Sequence, residues 1–159
     1  MHSSNIQPSD PPAACAALSI ATIRCDIELA IHLPSAKPQL DKVLDLLATH
    51  AVQVLTYSSY HEHDRQVLLV ITDAAPRAQS VLRHAGYQCR ADEVVLVGLA
   101  SYRPGLVARL GWQLRHTGID ILYSYLSAAG ADGQYAVFKT SDNHQALHVL
   151  ARAELPPND

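Results

Sequence analysis

The side chains best able to do chemistry in this 159-residue chain are its nine histidines and three cysteines, and their spacing decides what they can hold. His61 and His63 fall on one side of an extended backbone, with Glu62 and Asp64 adjacent. His144 and His148, four apart, lie near one face of a helix. A metal site needs a third ligand at a recognisable spacing, and neither pair brings one. Cys15, Cys25 and Cys89 are odd in number and widely separated, with no metal or disulfide framework. A solvated hairpin tip and a polar helix flank account for the histidines, so no metal and no cofactor is expected. There is no Gly-x-Ser-x-Gly, no glycine-rich phosphate loop and no cysteine in a recognisable catalytic context. Carboxylates occur only at ordinary surface spacing. An enzyme in its own right is not expected.

The elements that would position any such residue are most legible between Ala100 and Ile121. Val94 to Leu99 is an apolar run short enough to be a buried strand. Pro104 suits a first helical turn and forces Arg103 into an extended conformation. Leu106, Val107, Leu110 and Leu114 mark one helical face, and Gly118 lies where a helix ends. Ile119 and Ile121 flank Asp120 with a period of two, the opening of another strand. Upstream, Ile27, Leu29, Ile31 and Leu33 alternate with Asp26, Glu28, Ala30 and His32, which predicts a strand with one buried face. Leu40, Val43, Leu44 and Leu47 form a helical stripe. Val52 to Tyr60 and Val67 to Ile71 form a hairpin around His61 to Asp64. Asp73 opens a second helix closed by Gly86, and Tyr87 to Asp92 can form a fourth strand.

An apolar strand entering Arg103-Pro104-Gly105, then x-Val-Ala-x-Leu-x-x-x-Leu, then Gly118-Ile119-Asp120-Ile121, resembles the ACT domain. That family consists of small βαββαβ modules that bind amino acids and other small effectors, usually to regulate something else. The order repeats: Leu40, Val43, Leu47, Val52 and Val54 map onto Val107, Leu110, Leu114, Ile119 and Ile121 with one shift of 67 (107−40, 121−54). A second hairpin follows over Ile121–Ser127 and Tyr135–Thr140, and Asp142, Ala146, Leu147 and Leu150 repeat the Asp73 helix. The resemblance covers Ile23 to Leu150. It implies an α+β fold of two ferredoxin-like βαββαβ repeats paired side by side, with an antiparallel sheet and the helices on one face. The expected organisation is a flexible tail over 1–22, repeats over 23–92 and 93–152, and a tail over 153–159. The second repeat shows no fourth strand of its own, an edge that Ile20 to Cys25 can fill.

In the family, effectors sit between paired modules, at the loop after the first strand and the start of the second. The resemblance therefore implies ligand-binding roles for Ala100, Ser101, Tyr102, Arg103, Pro104, Gly105 and Asp120. Free amides at a helix N-terminus favour a carboxylate, Arg103 would add a charge-assisted bond, and Asp120 would accept an ammonium group. The first repeat has Lys37-Pro38-Gln39-Leu40, one residue shorter and without the glycine, which implies an altered first site. The implied function is a stand-alone regulator that binds an amino acid or similar effector and signals to a partner in trans. The alternative is an assembly module that keeps the fold without the ligand.

Composition narrows the partners. A net charge of −3 gives no basic footprint for nucleic acid. No apolar run approaches the roughly 18 residues of a membrane span. The Ala14–Ile20 stretch lacks the basic flank of a signal peptide, so a cytoplasmic location is expected. Trp112 lies about 200° around the helix from both Leu110 and Leu114. It is therefore expected at a homodimer contact, as an apolar anchor left outside the core.

Overall fold

The computed structural model describes residues 20–34, 39–100, 105–127 and 133–152. Among them the chain forms β1 (Ile20–Pro34), α1 (Leu40–Thr49), β2 (Val54–Glu62), β3 (Arg65–Thr72), α2 (Ala75–His84), β4 (Gln88–Leu99), α3 (Leu106–His116), β5 (Ile121–Leu126), β6 (Gln134–Thr140) and α4 (Asn143–Arg152). The amphipathic stripes become the helices' buried faces: Val43 and Leu47 in α1, Ala78 and Leu82 in α2, Leu110 and Leu114 in α3, Ala146 and Leu150 in α4. The strands make one six-stranded antiparallel sheet in the order β2-β3-β1-β4-β6-β5. All four helices cover one face, in two clusters. One joins Leu29, Ile31, Leu33, Leu68 and Val70 to α1 and α2; the other joins Val95, Val97, Leu99, Ala136 and Phe138 to α3 and α4.

β1 and β4 are long because each serves both repeats. Residues 28–34 of β1 pair with β3 as the first strand of the first repeat. Its beginning, Ile20 to Cys25, pairs with Leu99 to Val95 and supplies the fourth strand that the second repeat lacks. β4 reciprocates: it is the first repeat's last strand and the second repeat's first. The expected boundary at 92/93 therefore falls inside one continuous strand, and residues 20–22 of the expected tail belong to β1. Neither repeat can leave without stripping an edge from the other.

The two repeats are related by a local dyad. Leu29, Ile31 and Leu33 correspond to Val95, Val97 and Leu99, a shift of 66 (95−29). The first helix keeps the shift of 67 seen in the sequence, whereas Ala78 and Leu82 correspond to Ala146 and Leu150, a shift of 68 (146−78). One extra residue thus enters the strand-to-helix loop and one more the hairpin of the second repeat. In the β1–β4 register Ile27 faces Glu93, also 66 apart, so the dyad passes between these two residues.

The face without helices departs from the sequence reading. Glu28 and Ala30, expected on a solvated face, are fully buried, as are Val67, Ile71, Val94, Leu96 and Val137. What covers them is the sheet itself. Tyr123 and Tyr125 of β5 pack against Ala30, Val67 and Leu69, although β5 and β1 are three strands apart. In a flat sheet that separation is roughly 14 Å, at about 4.8 Å per strand, beyond the reach of a tyrosine. The sheet therefore curls its last strand back over its own centre.

Candidate functional site

Both central strands deliver their C-terminal ends to helix N-termini, and those mouths lie at opposite ends of the sheet because β1 and β4 are antiparallel. At the mouth of the second repeat, Gly105 precedes α3 with φ of 85°, a left-handed conformation that favours glycine. Among the described residues no side chain caps the first-turn amides of α3. Ala100 is exposed just beyond β4. Ser101, Tyr102, Arg103 and Pro104 lie outside the described residues. Gly133, just before β6, has φ of 96°, and a Cβ there would come within 3.2 Å of the Leu99 carbonyl oxygen.

Asp120 is not part of this mouth. It follows the far end of α3, whose eleven residues span about 16 Å at 1.5 Å each. Its backbone N–H donates to Ser141 Oγ (3.1 Å) and its carbonyl accepts from the Ser141 N–H (2.9 Å). Gln53 and Asp73 make the same clamp in the first repeat, Gln53 N–H donating to Asp73 Oδ1 (2.9 Å). Asp73 therefore ties the start of β2 and does not cap α2. The helix-capping role falls in the second repeat to Asp142, whose Oδ1 accepts from Gln145 N–H (2.9 Å). A single amino acid cannot span Gly105 and Asp120 within one repeat.

The mouth of the first repeat, expected to be altered, holds a cavity. It measures about 540 Å³ and is lined by His32, Gln39, Arg65, Gly86, Tyr87 and Gln88 among others. That volume suits a small molecule. Among the described residues no side chain caps α1 either, and Tyr87 donates from its hydroxyl to Gln39 Oε1 (3.3 Å). An adjoining cavity of about 300 Å³ shares His32 and Arg65 and adds Glu62, His63 and Asp64. The sequence signal for this place was the polar hairpin tip, which the absence of a third metal ligand had set aside.

Two buried polar groupings were not anticipated. On the helix-free face the Glu28 carboxylate accepts from the hydroxyls of Tyr123 and Tyr125, the latter at 2.7 Å. Burial pushes the Glu28 carboxyl above its ordinary value and outweighs the two phenol donors, which favour its ionised form. Burial, reinforced by the Glu28 charge, also raises both tyrosines. Around the dyad, Arg24 pairs with Asp26 (2.9 Å) and Arg90 with Asp92 (2.7 Å), at positions 66 apart. Glu28 breaks that symmetry, because its dyad mate is Val94. On the helix face, Asn143 donates to the Glu93 carbonyl (2.6 Å) while its Oδ1 accepts from the Thr140 N–H and hydroxyl (3.0 and 2.9 Å). These bonds fix the start of α4 on β4 and bring His144 to 3.6 Å from Glu93. Trp112 is 54% exposed and stacks on His116, with ring centroids 4.7 Å apart.

Comparison with known proteins agrees with this architecture. The ACT domain pair family matches residues 24–156. The protein BT0572 from Bacteroides thetaiotaomicron superposes with a TM-score of 0.72 at 20% identity, over 83% of this chain and 90% of that one. The ligand-free regulatory subunit of aspartate kinase from Thermus thermophilus gives a TM-score of 0.59 at 15% identity, over 85% of this chain and 98% of that one. The corresponding subunit from Thermus flavus gives 0.57 at 16% identity, over 85% and 98%. At these identities the likeness is one of fold. No curated protein matches the sequence. Two βαββαβ units exchanging their edge strands, matched by one family over nearly the whole described chain, place this protein in the ACT domain pair family.

Proposed function

We propose that this protein is a stand-alone regulatory module that binds an amino acid or a similar small carboxylate and passes its occupancy to a partner protein. The observation that carries this reading is the cavity of about 540 Å³ at the first mouth, lined by Arg65 together with Gln39, the residue that precedes α1. A guanidinium and the amides of a helix start are both suited to a carboxylate. The 100–105 loop, with Gly105 and the first-turn amides of α3, is the counterpart at the second mouth and takes the same chemical class. Asp120 has no share in that contact.

An assembly role is the second reading. It is favoured by the exposure of Trp112, Leu122 and Leu126, which leaves apolar surface on the second repeat.

Calorimetric titration with a panel of amino acids separates the readings. Binding that Arg65→Ala weakens and Gly105→Val spares places the effector at the first mouth. The reverse pattern places it at the second. No binding by any amino acid, together with wild-type self-association, sinks the sensor reading in favour of assembly.

A further inference from the structure

We propose that Cys25, Glu93 and His144 form a site for a divalent transition metal of the zinc type, at the seam between the two repeats. The three residues come from β1, β4 and the first turn of α4. Their donor atoms, one sulfur, one carboxylate oxygen and one imidazole nitrogen, all lie within 4.8 Å of one another. His144 Nε2 and Glu93 Oε1 are 3.6 Å apart. Two ligands at about 2.0–2.1 Å from a tetrahedral ion stand about 3.3–3.4 Å from each other, and a sulfur at about 2.3 Å only slightly further. Binding an ion draws the three donors closer than these distances. A mixed sulfur, nitrogen and oxygen set matches the borderline softness of zinc and not that of calcium or magnesium.

The backbone behind the donors is held in place. The Glu93 carbonyl accepts from Asn143 Nδ2 (2.6 Å) and from Lys139 Nζ (2.7 Å), and Asn143 is fixed in turn by Thr140. This anchoring sets the first turn of α4 over β4, which a metal site requires of its supporting residues. The His144 side chain is 78% exposed and Glu93 40%, so an ion can enter and a water can take the fourth position.

The local dyad shows that packing does not demand these residues. The related positions are Ala91, Ile27 and Pro76, none of which offers a donor. The fold closes the seam on one side without ligands and gathers all three on the other. A bound metal ion replaces the Cys25 thiol proton, which leaves to solvent.

The test is a titration of the full, reduced chain, previously stripped with chelator, with Co²⁺ as a spectroscopic stand-in for zinc. One equivalent should produce a thiolate-to-cobalt charge-transfer band together with the visible bands of a tetrahedral ion, and Zn²⁺ should displace it. Cys25→Ser should abolish the charge-transfer band, whereas a Cys15→Ser/Cys89→Ser double variant should retain it. His144→Ala, on an exposed helix start where folding is not at risk, should weaken binding at least about tenfold. Histidine binding elsewhere on the chain gives no thiolate band. Absence of that band in the wild type, or its survival in a folded Cys25→Ser protein, overturns the site.

Discussion

Tyr125, on the strand at one edge of the sheet, donates a 2.7 Å hydrogen bond to Glu28, on a central strand three positions away. Tyr123 donates to the other oxygen of the same carboxylate. The curl of the sheet and this triad are one feature: bending β5 over the helix-free face buries Glu28 and supplies the donors that its burial requires. The first repeat has no equivalent, since the related positions are Thr56, Ser58 and Val94.

Removing one donor should loosen the curl. Tyr125→Phe leaves a buried carboxylate oxygen without its phenol and should cost about 1–3 kcal/mol. Glu28→Gln keeps an acceptor for one tyrosine without a charge and should cost less. Urea denaturation followed by circular dichroism checks both, and a Tyr125→Phe protein as stable as the wild type would show that the bond carries no weight.

The pH dependence has a definite sign. The Glu28 carboxyl is raised in the fold chiefly by burial, so the native state favours its protonated form. Its stabilising contribution is complete below the ordinary carboxylate value of 4.5 and is lost as pH rises through the higher folded value. Relative to Glu28→Gln, the wild type should lose stability across that window. Melting temperatures of the two proteins taken over the same pH series would run parallel if Glu28 did not titrate there.

The exchange of edge strands can be tested at Gly98. A Cβ there would come within 2.5 Å of Thr22 Cγ2, on the β1 segment that completes the second repeat. Gly98→Ala should cost about 1–3 kcal/mol through overpacking against a stiff β-branched neighbour. Adding Thr22→Ala should recover part of the loss. Additive costs in the double variant would mean that the two residues are not in contact.

Trp112 is the candidate for self-association. It is 54% exposed, on the side of α3 away from the buried Leu110 and Leu114. Light scattering should show a dimer for the wild type and a weaker one for Trp112→Ala. A monomeric wild type at micromolar concentration, or a mutant dimer of unchanged affinity, would remove Trp112 from the interface.

Much of this protein was legible in its residues because helices and strands are specified locally. The Leu106, Leu110 and Leu114 stripe and the alternation from Ile27 to Leu33 depend only on neighbours a few positions away, and the shift of 67 comes from laying two such local patterns over each other. The missing fourth strand and its replacement by Ile20 to Cys25 followed from counting elements. The separation of Gly105 from Asp120 was also available, since the helix between them is too long for one small ligand to bridge. Three things belonged to the tertiary structure alone. Glu28 looked like a solvent-facing strand residue until the curl buried it, and its partners lie 95 and 97 residues away. The cavity at Arg65 depends on how the α2–β4 connection meets the start of α1. Cys25, Glu93 and His144 have no spacing that could have been recognised, because their meeting depends on the β1–β4 register and on Asn143 seating α4 above it. Amphipathic period is written along the chain; the convergence of single polar side chains is set by how the finished layers cross.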